Sequence, residues 1–231
     1  MLERYTITLS NDEIRNKYKV DPTPGYQPVY NAAPTHLLPV MTHLHPDGFS
    51  FFYWGLPPEM TKNKSISQKL INAEVNEITD KISYRNALLK RRCLIPGDGL
   101  YLWKKISKKG KIPYRFIMNN EEPFLMAGIW EEFDSENSSD THTFSIITMP
   151  SSDYKDFTAS MPVIIRQHNL KPWLDNNTPI ENLVQILNDD TMNEMGSYPV
   201  SSRVNNTNLN TPDLILPSKP VDQFGNYSLF D

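Results

Sequence analysis

The hydrophobic positions of this chain alternate with polar ones more often than they recur at helical spacing. Tyr5, Ile7 and Leu9 alternate with polar residues and predict a half-buried strand. Leu37 to Thr42 and Phe49 to Trp54 read as two more strands, joined by a turn at Pro46-Asp47-Gly48. Further strands are expected over Cys93–Ile95, Leu100–Lys104, Tyr114–Met118, Phe124–Trp130 and Thr143–Thr148, with residues 134–140 as a polar hairpin loop. Helical signals are fewer. Ser10 and Glu13 have capping-box spacing and predict a short helix to about Lys19, before a Pro- and Gly-rich loop from Asp21 to Pro28. Ser83 to Lys90 reads as helix. Thr178 is expected to cap another, with Pro179 in its first turn and Ile180, Leu183, Val184 and Leu187 on one face. Residues 57–69 are polar and read as a mobile segment, and the tail from about 217 to 231 reads as extended. Strands dominate and most connections are hairpin-like. The fold class predicted is α+β, a largely antiparallel, barrel-like sheet with flanking helices, and residues 1–231 read as a single domain.

The 231 residues are enough to bury a substantial core without covalent staples. The one cysteine, Cys93, allows no internal disulfide and fits a reducing compartment. The opening residues lack a basic region followed by an apolar stretch. The longest strongly apolar stretch, Pro123 to Trp130, falls far short of the ~20 residues of a membrane helix. A soluble cytoplasmic protein is expected, with no membrane partner. A net charge of −4 argues mildly against nucleic acid as a partner, but the charge is unevenly spread. Residues 62–115 hold 14 Lys+Arg against 4 Asp+Glu, and the remainder holds 9 against 23. Such asymmetry marks a face for a polyanion, or else ordinary solvated loops and helix faces.

His43 and His45 stand two apart, as two metal ligands on a strand would. A polar strand end before a turn accounts for them as well, and no metal or other cofactor is expected. His36, His142 and His168 have no ligand-like neighbours in sequence, and glycine-rich phosphate loops, nucleophile elbows and paired-cysteine motifs are all missing. Cys93 follows Arg92, whose charge could activate a thiol, but a cysteine in an apolar strand is more often core. Aromatic and basic residues interleave at Tyr101, Trp103, Lys104, Lys105, Tyr114 and Arg115. They fit a stacking-and-phosphate surface for single-stranded nucleic acid, or a strand with rings inward and lysines outward. The residues alone do not separate the two.

Several segments, taken in order, resemble one known family. Arg4-Tyr5 opens the series, followed by YNAAPT (30–35), YWGL (53–56), INAE (71–74) and SYR (83–85). RRCLIPGDGLYLW (91–103), AGIWE (127–131), FSIIT (144–148), SMPVII (160–165) and YPVSSRVNN (198–206) complete it. The pattern resembles the SRAP family, the SOS-response-associated peptidases, which handle abasic sites in single-stranded DNA. That resemblance implies a cysteine as second residue, whose amine and thiol capture the abasic aldehyde as a thiazolidine. It also implies an asparagine that holds the site's hydrogen bonds, and a glutamate and a histidine that move protons.

Here the matching positions are Leu2, Asn72, Leu102 and Thr158, so only the asparagine is retained. Leu2 is also bulky enough that Met1 is expected to remain. Positions where the resemblance implies DNA contact are Arg4, Asn31, Trp54, Asn72, Glu74, Arg85, Ser160 and Arg203; two of these, Glu74 and Ser160, replace the family's arginines. Gly55, Pro96, Asp98-Gly99, Gly128 and Pro162 stay in their motifs and are expected to hold turns and strand ends. Three readings follow. The first is an SRAP-fold protein that has lost its crosslinking chemistry and acts by binding single-stranded or abasic DNA. The second is a residual enzyme forming a reversible imine through its N-terminal amine. The third is a scaffold protein without a DNA role.

Overall fold

A computed structural model describes residues 1–56, 70–133, 141–189, 195–222 and 224–225. The expected mobile segment and polar hairpin loop, 57–69 and 134–140, lie outside the described residues. The architecture is two sheets with few helices. One sheet has five strands, all antiparallel, in the order β12 (Met195–Pro199), β8 (Lys111–Met118), β7 (Gly99–Lys105), β1 (Tyr5–Ile7) and β2 (Val29–Ala32). The other closes on itself. β4 (His45–Trp54), β3 (Leu37–Thr42), β6 (Arg92–Gly97), β9 (Phe124–Phe133) and β10 (Thr141–Pro150) form a barrel, because β10 pairs with both β9 and β4. β5 (Asn72–Glu74) and β11 (Ser160–Pro162) pair with the later part of β10. Among the described strands only the β10–β4 and β10–β5 pairs are parallel, so the α+β, barrel-like, largely antiparallel architecture expected from the sequence is the one observed.

The first helix, α1 (Asn11–Tyr18), starts where the pattern placed it. The Ser10 hydroxyl accepts from the Glu13 N–H, and the Glu13 carboxylate accepts from the Ser10 N–H at 2.7 Å. It ends at Lys19 in the left-handed region, φ 58°. Two short helices, α2 (Val75–Ile78) and α3 (Ile82–Lys90), follow β5; α4 (Leu170–Leu174) and α5 (Ile180–Leu187) follow β11. α5 buries Leu183, Ile186 and Leu187 against the barrel side. Its predicted cap differs: Pro179 itself is the N-cap, and the Thr178 hydroxyl donates to the Pro172 carbonyl at 2.7 Å. Thr178 stands one residue before the cap, its hydroxyl turned to the preceding helix.

Two other expectations are corrected. Thr42 pairs with His45, so the β3–β4 turn lies at His43-Leu44, and Pro46-Asp47-Gly48 belong to β4. Gly48 is needed for close approach: a Cβ there would stand 2.9 Å from the His45 ring and 3.3 Å from the Asp21 carbonyl. The loop at Asp21 bridges to Gly48, and its N–H donates to the Asp47 carbonyl at 2.9 Å. Gly128 is likewise no strand end. It sits within β9 opposite Cys93 and Ile146, where a Cβ would come 2.2 Å from Ile95 Cδ1. β1 is buried on both faces, Thr6 included: β2 and β7 flank it within its sheet and β6 of the barrel packs against it.

Candidate functional site

The N-terminal strand is held by Asp98, at the turn between β6 and β7. Its carboxylate accepts from the Thr8 N–H at 2.7 Å, from the Thr6 and Thr8 hydroxyls, and from the Arg115 guanidinium at 3.1 Å. The Tyr101 N–H donates to the Arg4 carbonyl at 3.1 Å. Together these lay Met1 to Arg4 along β7, facing Leu102. Gly99 makes room: a Cβ there would stand 2.5 Å from Arg115 Nε.

At the end of this strand the substituted positions meet. The α-amine of Met1 donates to Thr158 Oγ1 at 3.1 Å, and that hydroxyl donates on to the Ser160 carbonyl at 3.0 Å. The Leu2 side chain is wholly buried in the core, and its carbonyl accepts from Asn72 Nδ2 at 2.8 Å. Asn72 is presented by β5, which pairs with β10 at Ile146. An open cleft of about 540 Å³ adjoins this point, lined by Met1, Arg4, Leu102, Trp103, Lys111 and Thr158 among others. The sequence reading missed Lys111 and Asn205, the latter accepting from Trp103 Nε1 at 2.9 Å. Position within the basic run was the only available signal for Lys111.

Two buried polar atoms beside the N-terminus have no hydrogen-bond partner: Arg4 Nε and Asn72 Oδ1. Burial lowers the Arg4 pKa from its ordinary value, partly offset by Glu3. His36 is lowered too, by burial and by the nearby Arg4 charge. Arg4 is among the residues lining the cleft, whereas Asn72 is not, its side chain being engaged with the Leu2 carbonyl.

The remaining candidates scatter. Trp54 is fully buried, edge-on to Tyr5, with Nε1 donating to the Ile71 carbonyl at 2.8 Å, so it offers no ring face to a base. Asn31 is buried as well, and its amide clamps the carbonyls of Val204, Asn206 and Leu209 at 3.2, 3.0 and 3.2 Å. Ser160 is buried in β11. Glu74 and Arg85 are exposed, and Arg203 pairs with Asp213 at the surface. Among the interleaved aromatic and basic residues, Tyr101, Tyr114 and Arg115 are core, and Lys104 lies 6.0 Å over the Tyr114 ring. Trp103 is half-buried and Lys105 is exposed. Cys93 is fully buried, and burial pushes its thiol pKa well up. No group of three or more His, Cys, Asp or Glu among the described residues is placed to hold a metal, and no helix there is long and apolar enough to cross a membrane.

The Asn31 clamp carries a stability prediction. Asn31→Ala leaves those carbonyls without their donor, and should cost roughly 1–3 kcal/mol. Amide hydrogen exchange should speed up over 202–209 far more than in the barrel. Uniform exchange across the chain would show that Asn31 does not anchor that segment.

A closed barrel and a second sheet thus hold Met1 to Arg4 beside an open cleft. A family model described as SOS response associated peptidase (SRAP) matches residues 1–207. The chain belongs to this family. It is similar to the abasic site processing protein YoqW of Bacillus subtilis (strain 168), at 34% identity over 221 residues covering 93% of this chain and 99% of that one. It is also similar to the abasic site processing protein HMCES of Xenopus tropicalis, at 26% identity over 81% of this chain and 65% of that relative. An X-ray crystal structure of a protein from Bacteroides thetaiotaomicron shares the fold, with a TM-score of 0.79, 22% identity, and coverage of 93% of this chain and 99% of that one.

Proposed function

We propose that this protein binds abasic or other single-stranded DNA in the N-terminal cleft without forming a stable covalent link. The observation that carries this reading is the open cleft beside the N-terminus, lined by Arg4, Trp103 and Lys111 and containing no thiol. A thiazolidine needs an amine and a thiol on adjacent carbons. The chain's one cysteine is Cys93, fully buried in β6, and the side chain at position 2 is a buried leucine. Leu102 is aliphatic and Thr158 already donates to Ser160, so neither supplies the proton transfer that the resemblance implies. Arg4 and Lys111 line the cleft as cations, and Trp103 offers a partly open ring for stacking.

A second reading has its own support in the Met1 amine, held at the cleft by Thr158. An unprotonated amine adds to the aldehyde of a ring-opened abasic site to give a carbinolamine, which loses water to leave an imine. Borohydride reduces that C=N bond to a stable secondary amine.

The test is fluorescence anisotropy with a single-stranded oligonucleotide carrying one abasic site, joined to intact mass with and without borohydride. Saturable, salt-sensitive binding with no mass increase in the absence of reductant is expected. Lys111→Glu should weaken binding by about tenfold, the scale of one lost phosphate contact turned repulsive. A mass increase without reductant would overturn the proposal, as would no binding at low salt. An adduct seen only with borohydride, and abolished by acetylating the α-amine, would establish the imine reading.

A further inference from the structure

A second cavity shares no lining residue with the N-terminal cleft. Its volume is about 660 Å³, within the range of small-molecule sites. It lies where the end of α1, the β3–β4 hairpin, β9 and α4 converge. Val20, Met41, Leu94, Leu125, Leu170 and Leu174 give it apolar walls. Three ammonium groups stand in its lining: Lys17, Lys19 and Lys171. Lys17 is committed to Glu122, whereas Lys19 and Lys171 form no ion pair among the described residues. Both are exposed at the rim, so holding a ligand anion there takes little from the rest of the fold.

His43, also in the lining, is different. Its Nδ1 is buried and has no hydrogen-bond partner. Burial lowers its pKa from the ordinary value and the Arg92 charge lowers it further, so the ring is neutral near pH 7. It therefore offers one hydrogen-bonding atom without a counter-charge.

We propose that this cavity binds a small carboxylate with an apolar body, the carboxylate meeting Lys19 and Lys171 and the body lying against the leucine-rich walls. Two features oppose an anion there. The last carbonyls of α1 carry partial negative charge, and Asp175 is a lining carboxylate. Asp175 already accepts from the Asn177 N–H and side-chain amide at 2.9 and 3.0 Å. The α1 terminus is covered by its own αL cap, in which the Lys19 N–H donates to the Arg15 carbonyl. Two unpaired ammoniums outweigh one satisfied carboxylate and a capped helix end. An uncharged ligand would leave both ammoniums unused, and a polyanion would leave the apolar walls unused.

The probe is 2-naphthoate, followed by calorimetry and by backbone amide shifts of the full chain. Saturable binding is expected, with shifts at Val20, Met41 and Leu125. Lys171→Glu should weaken it about tenfold, and adding Lys19→Glu should weaken it further. Lys155→Glu, an exposed lysine outside the cavity lining, makes the same change in net charge and should alter affinity by less than twofold. The neutral analogue 2-naphthalenemethanol should respond less than twofold to any of these. The lysine variants change only exposed side chains, and an unchanged melting temperature checks that they fold. The proposal is overturned by the lack of saturation at millimolar probe, by shifts at Met1 and Leu102 instead, or by equal effects of Lys171→Glu and Lys155→Glu. None of these outcomes depends on whether the N-terminal cleft binds DNA.

Discussion

Replacing Arg92 with methionine is expected to destabilise the protein by roughly 3 kcal/mol, lowering the Tm by about 6–12 °C for a chain of this size. Arg92 is only 1% exposed, yet among the described residues it makes no ion pair, Asp175 acting on it only from a distance. It donates instead to backbone carbonyls: Leu88 at the end of α3, Trp173 in α4 and Asp175 just beyond it, the last at 2.7 Å. It also lies 5.9 Å from the Trp173 ring. One side chain thus joins β6 to two helices that follow different parts of the barrel. Burial lowers its pKa to about 10, which means the folded state works against the charged form. Methionine fills similar space and removes that desolvation cost. Replacing a buried ion by an apolar isostere is often neutral for this reason. Here the acceptors are main-chain carbonyls that cannot leave with the arginine. The Asp175 carbonyl keeps the Thr178 N–H at 3.0 Å, but the Leu88 and Trp173 carbonyls lose the guanidinium, and at about 1–3 kcal/mol for each unsatisfied buried group the loss exceeds the desolvation recovered. Urea unfolding of both chains measures it. A difference under 1 kcal/mol would show that water or a local shift satisfies those carbonyls.

The longer strands were legible in the sequence because they are long apolar and β-branched or aromatic runs, most of them buried nearly throughout. β6 through β10 appear where strands were expected, each somewhat longer. Of the strands around the site, β1 and β7 were legible, and several shorter ones were not. β2, β5, β11 and β12 are three to five residues long, too short for a period, and β5 exists only because β10 offers it a parallel edge. The Pro46-Asp47-Gly48 sequence carries every local mark of a turn. It lies in a strand because Asp21, far off in sequence, fits against Gly48. Side chains show the same division. Resemblance placed Leu2, Asn72, Leu102 and Thr158, and the fold brings all four positions around the N-terminus, although 70 residues separate Asn72 from Leu2. It could not show that Trp54 would be sealed in the core or that Asn31 would be spent on the 204–209 carbonyls. Those roles depend on which neighbours reach them, and no pattern along the chain records that.

The combined variant Leu2→Cys, Leu102→Glu and Thr158→His should form a borohydride-independent adduct with an abasic oligonucleotide where the parent chain forms none. The cleft's geometry is the reason to expect this from so few changes. The carbonyl of residue 2 is already fixed by Asn72 at 2.8 Å, and residue 102 already lines the cleft that residue 158 closes. Small side chains at position 2 permit removal of Met1, which exposes the amine and thiol of the new cysteine together. The amine then adds to the aldehyde, water leaves, and the thiol closes onto the imine carbon to give the thiazolidine. The partial variants divide the effect. Leu2→Cys alone restores the nucleophile without a proton-transfer group and should react slowly, since members of a cooperating set act as a unit. Leu102→Glu with Thr158→His but without the cysteine should give nothing stable, whatever its effect on rate. Leu102 is 3% exposed, so the new glutamate enters an apolar wall and its pKa should rise. The yield should therefore depend on pH more steeply for the combined variant than for Leu2→Cys. Intact mass after incubation reads each case. If the combined variant binds the oligonucleotide as tightly as the parent and still gains no mass, the loss of chemistry lies in the placement of the N-terminal strand rather than in the three substituted side chains.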